Sequence, residues 1–360
     1  MLVGPEATPL WTATAVETCS QLIAAKGQVL CAANNHVWSL DDAGHPKWSP
    51  VDLLNGSSPG TDVAVVADGR VYAFGLLAHY SGARVAAVGL DDGHVYWDAT
   101  PKGEFATYRV AGVVDGVVYL AGSTLWAVDA SSQKTLGDYP WPNQEIALVP
   151  PTGSRWLFRS PRTGSDTVVR LQAFDIARGG RPVPGWQREL PGDVDSGYAC
   201  VAAGHFVCTG NQLFALDPAT GTQVWASKET GHFQQPTASP DGSLVFVADL
   251  NTFYAFDAAT GALRWQTEPA KDSTPGSTGS GMAYREASRP QCADGNVYVL
   301  DGRSVLWALD PASGAVRWKY SGARQADPFK NEVVWSAGGG RVYVADPVAL
   351  TVVGLNAAGR

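Results

Sequence analysis

Short apolar stretches, each broken by Gly, Pro, Asp or Asn, run the length of this chain. Asn296-Val297-Tyr298-Val299-Leu300 follows Gly295 and reads as a strand. Val305-Leu306-Trp307 reads as a second strand. It runs into Ala308-Leu309-Asp310-Pro311-Ala312-Ser313-Gly314, and Trp318 stands four residues beyond that glycine. The same order recurs at Ala215-Leu216-Asp217-Pro218-Ala219-Thr220-Gly221 with Trp225, and at Ala255-Phe256-Asp257-Ala258-Ala259-Thr260-Gly261 with Trp265. No long helical period interrupts the strands.

The repeat extends over the whole chain in weaker copies. Taking the turn residue as position 41, 91, 129, 175, 217, 257, 310 and 356, the steps are 50, 38, 46, 42, 40, 53 and 46. A period near this size suits a unit of four strands. The eighth copy stops at Val353-Gly354-Leu355-Asn356, before its Trp strand. The missing strand stands at the other end, as Pro9-Leu10-Trp11-Thr12-Ala13-Thr14. The fold expected is therefore all-β, a single eight-bladed β-propeller of four-stranded antiparallel blades. Residues 1–360 form one domain, and residues 8–15 complete the blade formed by about 325–360. Such closure removes open sheet edges.

Side-chain chemistry supports the motif. An Asp in L-D-x-x-T-G accepts backbone N–H groups two residues on and so sets the turn. The following Gly supplies positive φ. A Trp on the outer strand packs against the next unit. That use accounts for much of a count of 13 Trp, through Trp11, Trp48, Trp97, Trp186, Trp225, Trp265 and Trp318.

Composition then narrows the function. With 26 Lys plus Arg against 34 Asp plus Glu, the net charge is −8, and basic blocks are missing, which argues against a nucleic-acid partner. No apolar run approaches the ~18 residues of a membrane-spanning helix. The start, MLVGPEATPLW, has neither a basic n-region nor an apolar h-region.

At its repeated A-x-D-x-x-T-G-x-x-x-W signature the sequence resembles the pyrroloquinoline-quinone (PQQ)-type β-propeller repeat family. Three full copies and four partial ones carry the likeness. WD and kelch patterns fit poorly, since only Trp97-Asp98 forms a WD pair and double glycines are not periodic. The resemblance implies one of three roles. Quinoprotein dehydrogenases are longer, hold PQQ and a Ca²⁺ bound by Glu, Asn and Asp, and commonly carry adjacent cysteines, a pair this chain lacks. Outer-membrane assembly lipoproteins are non-catalytic and have eight blades and about this length. Ectodomains of actinobacterial Ser/Thr kinases have a propeller of this size beyond a transmembrane helix.

Five cysteines bear on the compartment. Cys19 with Cys31, and Cys200 with Cys208, fall on the first two strands of the first and fifth units, each around a turn. Facing positions of an antiparallel pair come within disulfide reach. Two disulfides are the reading, with buried free thiols as the alternative. Disulfides imply an oxidising compartment and an extracytoplasmic ectodomain. Cys292 is left over.

In a propeller the first strands line the centre, and the segments leading into them form one face. A ligand funnel is expected there from Arg109, Phe233, Gln235, Tyr284, Arg285, Arg289, Lys330 and Glu332. The cations would bind an anionic or polyhydroxylated ligand, and Phe233 and Tyr284 would stack on it. The rival is an ordinary solvated rim. His232 is the one histidine near this face. No zinc spacing or serine-nucleophile motif stands out. The main expectation is a monomeric, non-catalytic extracytoplasmic binding domain, the sensing ectodomain of a membrane-anchored Ser/Thr kinase or a similar receptor. Its partner would be a small ligand or a protein, and any membrane link would lie outside this chain. The alternatives are a protein-interaction scaffold and a small-molecule enzyme in the funnel. The residues call for no cofactor, whereas the family resemblance implies PQQ and calcium.

Overall fold

The computed structural model describes residues 4–33, 36–53, 63–76, 83–99, 109–121, 124–140, 155–160, 168–175, 181–191, 199–249, 252–268, 288–323 and 333–359. These residues form eight antiparallel sheets, seven of four strands and one of three. In chain order the first seven sheets span 21–52, 63–99, 109–140, 155–191, 199–226, 237–267 and 291–320. Within each, strands pair in chain order. The eighth is built from both chain ends. Val334–Gly338, Arg341–Asp346 and Thr351–Asn356 are joined by Pro9–Thr14, with Trp11 opposite Gly354 and Thr14 opposite Thr351. The N-terminal strand expected to complete the last unit does so.

The chain end grips a second sheet too. The Ala7 amide donates to the Lys319 carbonyl, and the Lys319 amide donates to the Pro5 carbonyl. Glu6 Oε1 accepts from both the amide and the hydroxyl of Ser321. Residues 5–7 thus lie along the outer strand of sheet seven before the chain crosses to sheet eight.

Burial explains why the strands read differently. Middle strands are covered on both faces, as in Gln28–Ala33 and Asn296–Leu300, where every residue is buried. They therefore read as continuous apolar runs. Outer strands bury little besides the tryptophan. In Gln223–Ala226 only Trp225 is buried. The core is correspondingly a series of layers between neighbouring sheets. One cluster joins sheets seven and eight, and others join two with three, four with five, five with six, and six with seven. The largest spans eight, one and two.

A tryptophan from the outer strand of every sheet but the third spans these layers. Each indole Nε1–H donates to the carbonyl one residue past the turn position of the next sheet. The bonds are Trp11 to Asp42 (2.7 Å), Trp97 to Ala130 (2.7 Å), Trp186 to Pro218 (3.0 Å), Trp225 to Ala258 (3.1 Å), Trp265 to Pro311 (2.8 Å) and Trp318 to Ala357 (2.9 Å). Trp48 does the same to Leu90 at 3.2 Å. Opposite most of these tryptophans stands a small residue: Ser39, Ala87, Ala215, Ala255, Ala308 or Gly354. This is the physical content of the Ala in the motif.

The Asp and Gly of the motif shape the seat. Asp217 Oδ1 accepts the amides of Ala219 and Thr220 and the Thr220 hydroxyl, and Asp257 and Asp310 repeat this on their own turns. Gly261 has φ +71°, and a Cβ there would meet Trp225 at 2.4 Å. Glycine is needed both for the turn and for the room the indole takes.

One expected position moves. In sheet two the turn residue is Gly89, not Asp91. The Gly89 amide donates to the His94 carbonyl and Gly93 donates back to Gly89, the pattern that Asp217, Thr222 and Gly221 make in sheet five. Asp92 Oδ1 instead accepts the His94 amide.

Candidate functional site

The first strands of successive sheets stand side by side. Ala199–Ala202 adjoins Thr237–Ala238, which adjoins Gln291–Ala293, then Val334–Gly338, Gln21–Ala25, Val63–Ala67 and Arg109–Val114. They form an inner wall, the natural location for a site.

Side chains stitch this wall together. The Thr237 hydroxyl donates to the Pro290 carbonyl at 2.6 Å. Gln291 Oε1 accepts the Ala337 amide at 3.2 Å, and Ser336 Oγ accepts the Ala24 amide at 2.9 Å. Ser288 Oγ accepts both the Leu300 amide and the Trp335 indole N–H. Sheets six, seven, eight and one are thereby linked at the centre by polar bonds, whereas their outer parts are joined through indoles. Sequence reasoning missed Thr237, Ser288, Gln291 and Ser336. Each is an ordinary polar residue inside or beside a strand, and only the side-by-side placement of first strands gives it a partner.

Arg289 is the expected site residue whose surroundings are best defined. Its Nε–H donates to Thr237 Oγ1 at 3.1 Å. The residue keeps an exposed surface, but Thr237 of sheet six, Cys200 of sheet five and Cys292 of sheet seven lie beside it. Desolvation among them holds the guanidinium below its ordinary pKa. Burial pushes both of those thiols up to about 12, against the pull of Arg289. They are thiols, not thiolates, at neutral pH.

The other expected residues scatter. Gln235 is half-buried just ahead of Thr237. Arg109 opens its strand opposite Ala121. Tyr284, Arg285, Lys330 and Glu332 lie outside the described residues. Phe233 corrects its expectation. It is 1% exposed and packs edge-on against Tyr254 and Phe256 in the layer between sheets five and six. A ring so buried offers no stacking face. The chain turns inward before the first strand of sheet six, so nearness to that strand did not mean exposure. His232 donates its amide to Asp249, whose carboxyl burial pushes upward.

The structure holds all five cysteines as free thiols. For Cys200 and Cys208 the register explains why. Cys200 pairs with Val207 and Cys208 with Ala199, so the two side chains point to opposite faces. Cys200 packs in the layer with sheet six and Cys208 in the layer with sheet four. The disulfide expected between them is overturned.

A sequence model described as outer membrane protein assembly factor BamB, a PQQ-type repeat family, matches residues 5–155 and 209–360. The chain belongs to this family. Its fold is similar to that of BamB from Moraxella catarrhalis, with a TM-score of 0.64 at 16% identity, covering 97% of each chain. It is equally similar to the computationally designed Ika8 protein, with a TM-score of 0.65 at 12% identity over 99% of each. Among curated proteins it is similar to a polyvinylalcohol dehydrogenase of Sphingopyxis sp., 26% identical over 54% of this chain. A polyvinylalcohol dehydrogenase of Pseudomonas sp. is 27% identical over 45% of the chain. The matches cover 33% and 29% of those two proteins, so this BamB-family chain spans about a third of the curated relatives it matches.

Those relatives and the family's name raise the question of fit to PQQ with calcium. Among the described residues, no three His, Cys, Asp or Glu side chains converge on a point that could hold a metal ion. Arg289, a cation beside the inner wall, has a hydroxyl and two protonated thiols around it. No helix of the described residues is long and apolar enough to cross a membrane.

Proposed function

We propose that this chain is a closed, eight-bladed propeller, one domain over residues 1–360, that serves as a protein-interaction scaffold outside the cytoplasm. The observation that carries the reading is the BamB-family match, which runs through both arms of the chain. Eight sheets, the continuous run of first strands and a last sheet built from both chain ends support the ring. The family's description names an outer membrane assembly factor, and that supports both the scaffold role and the location.

A ring joined by indole bonds at the outside and polar bonds at the centre presents rigid surfaces at fixed spacing. Rigid presentation favours binding because little side-chain and loop entropy is lost on association. The sensing-ectodomain reading of the sequence rests on funnel residues of which Phe233 is core and four others lie outside the described residues. We therefore favour the scaffold.

The test pairs two measurements on the full chain. Photo-crosslinking residues are placed at exposed Tyr96 and Val224 and, separately, at Gln291 on the inner wall. Equilibrium dialysis is run with PQQ, with and without calcium. A scaffold gives discrete protein adducts from the outer positions and no PQQ uptake. Stoichiometric PQQ uptake that depends on calcium, without protein adducts, would overturn the proposal.

A further inference from the structure

We propose that Cys19 and Cys31 form one specific disulfide, closed while the chain folds. This goes beyond the scaffold reading and does not depend on it. Cys31 sits in the middle of the second strand of sheet one, opposite Leu22 and Trp38, and is fully buried. Cys19 precedes the first strand and is 4% exposed. A plain extension of the strand would carry it past the edge of its neighbour. Instead the chain bends. The Ser20 amide and hydroxyl both donate to the Ala32 carbonyl, which fixes that bend over the second strand. The bend turns the Cys19 side chain into the apolar cluster that also holds Cys31, where the two thiols act on each other electrostatically. Cys19 Sγ otherwise finds only a weak acceptor, the Glu17 carbonyl at 3.9 Å.

The remaining thiols each belong to a different apolar layer. Cys200 and Cys208 face opposite ways, and Cys292 lies in the inner wall beside Arg289. Cys19 and Cys31 are thus the pair that shares one sheet and one apolar layer.

Closure breaks two S–H bonds and forms one S–S bond. The two electrons and two protons pass to an incoming disulfide, of a thiol–disulfide oxidoreductase or of oxidised glutathione, which leaves as two thiols. Both cysteines are sealed from water once sheet one is packed, and burial together with Cys19 holds the Cys31 thiol well above its ordinary pKa. A protonated, enclosed thiol exchanges slowly. Oxidation therefore belongs to the folding chain, and the folded dithiol persists if it folds without oxidant. The bond would fasten the segment that leaves the N-terminal closing strand to the centre of sheet one.

Trypsin offers a direct test, because Lys26 lies between the two cysteines and no Lys or Arg precedes it. The full chain is prepared by secretion into an oxidising compartment and by refolding in a mixture of reduced and oxidised glutathione. Free thiols are alkylated under denaturing conditions and the digest is analysed without reductant. The proposal predicts that peptide 1–26 appears joined to peptide 27–47, that reductant separates them, and that Cys200, Cys208 and Cys292 are alkylated. The double variant Cys200→Ser, Cys208→Ser should keep the joined peptides. The oxidised chain should unfold at a higher denaturant midpoint than the reduced one. Alkylation of both Cys19 and Cys31 in each preparation would overturn the proposal, as would either one joined to a different cysteine.

Discussion

Sheets five to eight differ from sheet three in how they meet their neighbours. Trp225, Trp265 and Trp318 each reach the next sheet's turn and end on a carbonyl. In sheet three the position opposite Ala127, where the others carry tryptophan, is Gly137. The turn of sheet three is also altered. Gln133 takes the role of the motif glycine with φ +61°, a left-handed conformation that strains a side chain. Its Asp129 compensates by accepting from the amides and hydroxyls of Ser131 and Ser132. Among the described residues no apolar cluster joins sheets three and four, whereas sheets two and three, and four and five, share one each. The comparison teaches that neighbouring sheets are fastened one seam at a time, and that the outer strand of sheet three lacks the indole at the position the other sheets use.

The largest expected effect comes from removing a fastener. Trp318 is 2% exposed and bonds Ala357, so Trp318→Ala should cost about 3–5 kcal/mol, read as a lower denaturant midpoint. Leu136, on the outer strand of sheet three, is 47% exposed, and Leu136→Ala should stay within about 0.5 kcal/mol. Comparable losses for the two would break the contrast between the regions.

A smaller effect separates the turn role of glycine from its seat role. Gly261→Ala adds a Cβ that meets Trp225 at 2.4 Å on top of a left-handed φ, and should cost about 2–4 kcal/mol by overpacking and strain together. Gly295→Ala has φ +73° but open space around it, and should cost only about 1–2 kcal/mol. Equal losses would mean that the indole seat contributes nothing. In the opposite direction, Gln133→Gly should raise stability by about 1 kcal/mol by relieving the left-handed side chain. A loss there would show that Gln133 makes contacts that outweigh its strain.

The smallest effect is with pH. The Ser131 hydroxyl and the Ser132 amide hold Asp129 well below the usual carboxylate range. Bonds from Arg264 and Thr260 lower Asp257, and the Ser239 hydroxyl and Ser243 amide lower Asp241 to about 2. In acid the folded chain therefore binds fewer protons than the unfolded one. This contribution is complete above roughly pH 4 and is lost as pH falls towards 2. Asp257→Asn should lower the midpoint at neutral pH and flatten the acid limb of the stability curve. An unchanged limb would mean that the turns are not its source.

Much of the fold was legible in the sequence because the turn Asp, the seat Gly and the outer Trp stand at fixed spacing. The split last sheet was legible from a missing Trp strand at one end and an orphan one at the other. Three features were not. Gly89 was hidden because Asp91-Asp92 two residues on imitates the motif. Cys200 and Cys208 were misjudged because their hairpin centres between Ala203 and Gly204, and a one-residue slip sends every side chain to the other face. Phe233 was misjudged because position along the chain says nothing of the direction in which a loop turns. The candidate site was less legible still, since the bonds that stitch the inner wall join residues about fifty apart, such as Thr237 and Pro290.

Hydrogen exchange, followed peptide by peptide at neutral pH, tests the seam account most directly, because it reports local opening sheet by sheet along the chain. The account predicts that amides of Val117–Ala121 and Thr124–Asp129 in sheet three exchange well before those of Leu244–Asp249, Asn296–Leu300 and Arg341–Asp346. Uniform protection along the chain, or sheet three outlasting sheets six to eight, would contradict it.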